Sequence, residues 1–333
     1  MVYARSLRSS LTANRTARNA GSRTSVGWHQ RRKLRTPVTP TALTAEYLAA
    51  QPLPQLDGAA EKNARGRVLV FAGGAQLPGA ALLVGLAALR AGAGRVQLVA
   101  TAEARSSLGA AFPEARILTG PHNGAGEICA AAAGVLAEAI ASADALVVGP
   151  GMVDEAEAGE LASAIIQQEP RRLVVDAGAF SCFREAIVCG LIPSERVVLT
   201  PHAGELSKLM GLTRAHIEQD RLAHAQAAAD RFGATVVLKG PQTVIASPGS
   251  SAIRHFGNEP GLGTAGSGDV LAGVIGGLFA RGADARTAAA WAVYAHARAG
   301  AELAKKVAPT GFLARELIAE IPGAFAALEA GRS

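Results

Sequence analysis

The chain has 333 residues, of which 49% are hydrophobic, 18% charged and only 4% aromatic. That composition excludes wholesale disorder and calls for a large core built mainly from aliphatic and alanine side chains. The formal charge of +6 suggests nucleic acid only until it is located. Nine of the 33 basic residues fall within residues 1–40, which hold no acid, and the other 24 face 27 acidic ones, a net of −3.

Residues 1–40 carry Arg5, Arg8, Arg15, Arg18, Arg23, Arg31, Arg32, Lys33 and Arg35 in a Ser- and Thr-rich setting. A disordered or mis-started N-terminal extension is the favoured reading, ahead of a transit peptide of similar composition. A phosphate-binding arm comes last, because no nucleic-acid-binding fold follows it. The absence of an apolar h-region excludes a secretory signal.

The folded part, 41–330, reads as one domain. A short helix is expected around Thr44–Ala50, then a strand at Arg67–Phe71, a helix at Ala80–Ala91 and a strand at Arg95–Ala100. Glu127–Ala141 reads as helix, Ala145–Val148 as strand, Ala156–Gln167 as helix and Arg172–Asp176 as strand. Arg196–Leu199 continues the strands, followed by helices at Ala203–Met210 and Thr213–Phe232 and strands at Thr235–Lys239 and Thr243–Ala246. Helices at Asp269–Arg281, Ala285–Val307 and Phe312–Ile321 close the chain. The strands are continuous apolar runs joined by helices, the mark of a mostly parallel sheet buried on both faces in a three-layer α/β/α fold.

The longest apolar stretches, Ala80–Leu89 and Val270–Ala280, are about half the roughly 20 residues a membrane span needs, so no membrane role is expected. Cys129, Cys182 and Cys189 are odd in number and lack metal-ligand spacing, which fits a reducing cytoplasm.

In such sheets ligands sit beyond the carboxyl ends of the strands, so the loops there carry the interest. The richest runs from Gly257 to Gly282, GNEPGLGTAGSGDVLAGVIGGLFARG. Its formal GxGxxG (Gly261, Gly263, Gly266) is not a dinucleotide fingerprint, since about 50 mostly helical residues follow in place of a strand with an acid at its tip. It is not a Walker loop either, because no Lys-Ser/Thr pair follows the glycines. What remains is a glycine-rich loop, Thr264–Gly268, entering a helix: backbone amides and the positive helix end make an anion hole for a phosphate. Asp269 stands at that hole. A carboxylate there is costly beside phosphate unless it works on the substrate, so it is read as the base that takes a proton from an attacking hydroxyl.

TAGSGD at Thr264–Asp269, KGPQT at Lys239–Thr243, TPHAGE at Thr200–Glu205 and GPG at Gly149–Gly151 together resemble the ADP-dependent NAD(P)H-hydrate dehydratases of the ribokinase-like superfamily. The resemblance covers roughly Ala64 to Ile321. It implies a hydro-lyase that repairs hydrated NADH or NADPH: the hydroxyl at C6 of the S-form is phosphorylated from ADP, AMP is released, and phosphate is then eliminated. It implies Asp269 as catalytic and substrate-contacting, with Ala80, Gly151 and His202 also at the substrate. It places Lys239, Gly240, Pro241, Gln242, Thr243 and Gly268 at ADP or AMP, and Mg²⁺ beside the diphosphate with Glu205 as its candidate ligand. It further implies a separate epimerase for the hydrate; nucleic acid is not an expected partner. The apolar helical stretch at Ala285–Ala301 suggests a homo-oligomer, a tetramer among the possibilities, though it serves equally as core. The sequence departs from the family where DAGAF follows Arg172–Val175: Gly178 and Phe180 replace a usual Asp and Leu, which leaves Asp176 without a firm role. The first glycine loop has Gln76 and Leu77 where a Tyr is usual. A ribokinase-like sugar or vitamin-precursor kinase is the alternative, and the TPHAGE segment argues against it.

Overall fold

The computed structural model describes residues 40–55, 64–184, 190–257 and 259–330. The expected basic extension and Cys189 lie outside the described residues. Ten strands form one sheet: β1 (Thr41–Ala42), β2 (Arg67–Phe71), β3 (Arg95–Ala100), β4 (Arg116–Thr119), β5 (Ala145–Val148), β6 (Leu173–Val175), β7 (Val197–Leu199), β8 (Thr235–Leu238), β9 (Gln242–Ala246) and β10 (Ile253–Phe256). Their order is β1-β10-β9-β8-β7-β6-β5-β2-β3-β4. Only β9 runs against its neighbours; every other pairing is parallel.

The strands divide their side chains between two helical layers. Val68, Val70, Val147, Val174, Val198 and Val237 belong to one buried cluster, and Leu69, Phe71, Leu146, Val148, Val175 and Leu238 to the other. Successive residues point to opposite faces of a strand, so an unbroken apolar run is what a sheet covered on both sides requires. The first cluster is closed by α2 (Gly79–Arg90), α10 (Ser267–Ala280), α11 (Ala285–Lys306) and α12 (Ala314–Ala330). The second is closed by α4 (Ala131–Val135), α6 (Glu155–Ile166), α7 (Ala203–Met210) and α9 (Arg221–Phe232).

The chain leaves β2 for β3 and β4, then returns to β5 on the other side of β2, so the strand order reverses between β2 and β5. That is where such sheets form a crevice. α10 lies directly over it. An ideal Cβ on Gly276 would meet Val147 Cγ2 at 2.6 Å, while Cβ atoms on Gly273 and Gly277 would stand 2.4 Å from the carbonyl oxygens of Val84 and Ala88 in α2. Only glycine lets the two helices approach so closely, and this packing sets the first turn of α10 beyond the carboxyl ends of the central strands.

The sequence expectations differ from the structure in identifiable places. The helix expected over Glu127–Ala141 is two short pieces, α4 and α5 (Ala137–Ser142), and Ile128 bridges to His122 instead. The helix expected over Thr213–Phe232 breaks at Asp220, whose side chain caps α9 by accepting from the amide of Ala223 and separates it from α8 (Arg214–Gln219). Helix α3 (Ala102–Ala111) and strands β1, β4 and β10 were not anticipated, whereas the short helix near Thr44 is present as α1 (Ala45–Ala49). Among the described residues, no helix is long and apolar enough to cross a membrane.

Candidate active site

Lys239 stands at the end of β8 among acids. Its Nζ lies 2.9 Å from Asp176 Oδ1 and 4.0 Å from Glu205 Oε2. Asp176, 2% exposed at the end of β6, also accepts the hydroxyl of Thr200 at 2.7 Å. Gly268 leaves room for the lysine: an ideal Cβ there would be 3.2 Å from Nζ and 3.9 Å from Asp176 Oδ2. Burial works against the charge of Lys239, but Asp176 and Glu205 outweigh it and its pKa is raised. The ammonium persists as the centre of a cluster that reaches Asp269.

Asp269 is the third residue of α10, which begins two residues earlier than expected, after Gly266 in a left-handed conformation at φ 86°. The first amides of a helix have no upstream acceptor, so this turn offers N–H groups and positive potential to an anion. Burial, with repulsion from Asp176, outweighs attraction by Lys239 and pushes the Asp269 carboxyl up to about 7. A carboxylate in that range can take a proton near neutrality, which an ordinary aspartate does poorly. His296 of α11 holds the turn from behind, its Nε2 3.0 Å from both the hydroxyl and the carbonyl oxygen of Ser267. The carbonyl can only accept, so Nε2 donates to it. Burial drives the His296 pKa down to about 4, and the ring stays neutral.

His202 and Glu205 have a structural task of their own. His202 is the N-cap of α7: its Nδ1 accepts from the amides of Gly204 and Glu205 at 3.0 and 3.1 Å, and Glu205 Oε2 accepts from the His202 amide at 2.7 Å. This reciprocal cap fixes Nδ1 as the acceptor and leaves the proton on Nε2, which lies 3.6 Å from Glu205 Oε1. Pro201 accepts the amide of Lys239 at 2.8 Å, tying this loop to the end of β8.

A cavity of about 540 Å³ opens here, and His202, Lys239, Gly240, Pro241, Thr243 and Gly268 all line it. Gln242 stands outside that lining. Its carbonyl accepts Arg221 Nε at 3.1 Å, and Arg221 Nη2 donates to the carbonyls of Leu238 and Lys239, so one guanidinium shapes the whole Lys239–Gln242 turn. Ala80 and Gly151 meet on another side: an ideal Cβ on Gly151, at φ 68°, would stand 2.2 Å from Ala80 Cβ. Gly73 belongs to the same cluster, its amide donating to the carbonyl of Pro150. One helical turn beyond Ala80, Leu83 packs under Gly266, beside Asp269. Of the residues expected at the substrate, Ala80 and Gly151 thus stand apart from the cavity, whereas His202 lines it together with residues expected at the nucleotide.

Sequence reasoning missed Thr200, Arg221, Ser267 and His296, and gave Asp176 no firm role although it anchors the lysine. No local pattern distinguishes a lone histidine in the middle of an alanine-rich helix. Gly178 sits among packed neighbours: an ideal Cβ there would lie 2.9 Å from the Met152 carbonyl oxygen and 3.3 Å from Ala158 Cβ, so this chain leaves little room for a side chain at that position.

The family model for NAD(P)H-hydrate dehydratase matches residues 68–323. The chain belongs to that family. This NAD(P)H-hydrate dehydratase family member is 44% identical over 281 residues to the ADP-dependent (S)-NAD(P)H-hydrate dehydratase of Xanthomonas campestris, covering 84% of this chain and 94% of the relative. It is 36% identical over 280 residues to the bifunctional NAD(P)H-hydrate repair enzyme of Moorella thermoacetica, of which the match spans 53%. Among solved structures it is similar to a ribokinase-like superfamily protein from Enterococcus faecalis, with a TM-score of 0.74 at 27% identity, covering 86% of this chain and 96% of that one. The ADP/ATP-dependent NAD(P)H-hydrate dehydratase of Bacillus subtilis, co-crystallised with ATP and Mg²⁺, gives a TM-score of 0.72 at 26% identity and covers 87% and 99% respectively. The fold is ribokinase-like.

Proposed function

We propose that this chain dehydrates the S-form of hydrated NADH or NADPH at the expense of ADP, returning NAD(P)H with AMP and phosphate. The observation that carries the mechanism is the Asp269 carboxylate, poised at about 7 on the first turn of α10 and next to Lys239. Asp269 takes the proton of the C6 hydroxyl, whose oxygen attacks the β-phosphorus of ADP as the bond to the bridging oxygen breaks and AMP departs. The α10 amides and Lys239 hold the negative charge that develops on the transferring group. The C6–O bond then breaks with loss of a proton from C5. Phosphate departs and the ring double bond returns. Hydroxide leaves poorly and phosphate well, which is why a phosphoryl group is spent.

Among the described residues, no three His, Cys, Asp or Glu side chains gather into a metal cage. Mg²⁺ needs none beside a nucleotide, since one or two carboxylates with phosphate oxygens and water suffice. The donors here fit that arrangement. Glu205 would hold the ion, which would offset the charge of the diphosphate; Asp176 is already committed to Lys239 and Thr200. Pro241, Thr243, Gly240 and Gly268 bound the nucleotide; Ala80, Gly151 and His202 bound the hydrated nicotinamide.

Purified protein given hydrated NADPH with ADP, with ATP or with neither tests this reading through the return of reduced-nicotinamide absorbance. Return only when a nucleotide is present, with one AMP formed per NADPH in the ADP arm, is the expected result. Return without nucleotide, or none with either, would sink it.

A further inference from the structure

The mechanism above leaves part of the cavity lining unexplained. There β10 carries His255, paired in register with Thr243 of β9 and so beside the Lys239–Thr243 segment. Both ring nitrogens of His255 are shielded from solvent, and neither has a hydrogen-bond partner. Buried polar atoms are nearly always paired in folded proteins, so two orphaned nitrogens on one ring mark a position that something else completes. The ring lines the cavity together with Glu259, His296 and Ser267, so a turn of the side chain brings its shielded nitrogens to a ligand there.

Glu259 brings a second polar group to the same place. Its Oε2 and His255 Nε2 would stand 2.3 and 2.5 Å from an ideal Cβ on Gly257, so that position admits no side chain without displacing one of them. Burial lowers the His255 pKa against the pull of Glu259, which leaves the ring neutral with one donor and one acceptor nitrogen. His296 cannot satisfy it through Nε2, which is already committed to Ser267. Leu262, Leu271, Val293 and Ala297 line the same cavity and give it an apolar surface suited to a flat base.

We propose that His255, with Glu259, is a specificity-determining residue that hydrogen-bonds the nucleoside half of the nucleotide and so selects ADP from other diphosphates. The proposal rests on the reading that this cavity holds ADP. A neutral imidazole beside a carboxylate supplies a donor and acceptors. That set matches either the amino edge of adenine or the hydroxyls of ribose, two parts of one ligand with the same hydrogen-bonding chemistry. A diphosphate alone would satisfy the phosphate end and leave His255 unpaired.

The test is calorimetric titration of the full chain with ADP, IDP and 2′-deoxyADP, for the unaltered protein, His255→Phe and Glu259→Gln, each first checked for a cooperative thermal melt. If the unaltered chain does not bind ADP, the ADP reading fails on its own. Given that binding, His255→Phe is expected to lose about tenfold in ADP affinity, the worth of one hydrogen bond of roughly 1.4 kcal/mol. The ratio that collapses names the contact: ADP over IDP for the base edge, ADP over 2′-deoxyADP for the sugar. Glu259→Gln, an exchange of similar shape, is expected to narrow the same ratio, and it carries the test alone should His255→Phe not fold. Unchanged affinities, or an equal loss for all three nucleotides with both ratios intact, would overturn the proposal.

Discussion

Asp269→Asn is expected to lower kcat by about 100- to 10,000-fold, the range that loss of a positioned general base produces, while ADP still binds. The amide keeps the shape of the side chain but cannot take the hydroxyl proton. In the unaltered enzyme kcat/KM is expected to fall below about pH 7, where burial and Asp176 hold the carboxyl protonated, and to level off above it. The same group sets a stability signature of opposite sign. Its folded pKa of about 7 lies above the ordinary aspartate value of 3.8, so the folded state binds the proton more tightly. Stability is therefore fullest below about pH 4 for this group and declines as pH rises toward 7. Asp269→Asn removes that cost, and at pH 8 the variant should melt at a higher temperature than the parent. An active Asn variant, or a pH profile flat from 5 to 9, would remove Asp269 from its role.

Lys239→Met carries the second large effect. The ammonium holds Asp176 at 2.9 Å and lies within 4.0 Å of Glu205, and Asp176 is nearly inaccessible to water. Removing one partner of a buried pair leaves an uncompensated charge, which destabilises by about 3–5 kcal/mol. Denaturant titration should read that loss, and ADP affinity should fall with it because a cation at the phosphate is gone. Adding Asp176→Asn to the Met variant separates the two roles. The double variant is expected to recover most of the stability and none of the affinity. A Lys239→Met chain as stable as its parent and still binding ADP would contradict the cluster as described.

The fold was legible because its central strands are uninterrupted apolar runs. RVLVF at Arg67–Phe71 is the strand β2, and ALVV at Ala145–Val148 is β5. β4 and β10 escaped notice because they are short and mix in polar residues: Arg116–Thr119 borders the open edge of the sheet, and His255 and Arg254 interrupt Ile253–Phe256. The break at Asp220 is a capping event inside a periodic pattern, and the pattern alone hides it. In the site, the glycine-rich turn before Asp269 announced itself through its residue types. The pairing of Lys239 with Asp176 did not, since 63 positions separate them and only the meeting of β6, β7 and β8 brings them together. His202 illustrates a mixed outcome. Its motif pointed to the substrate, and the structure also gives it the cap of α7.

The central claim is that the hydroxyl of the hydrate leaves as phosphate, and the fate of its oxygen tests that most directly. NADPH hydrate carrying heavy-isotope oxygen at the C6 hydroxyl is turned over with ADP, and the released phosphate is examined by mass spectrometry. If the hydroxyl attacks the β-phosphorus, one heavy oxygen appears in each inorganic phosphate formed. Label released into water, with unlabelled phosphate, would contradict the account.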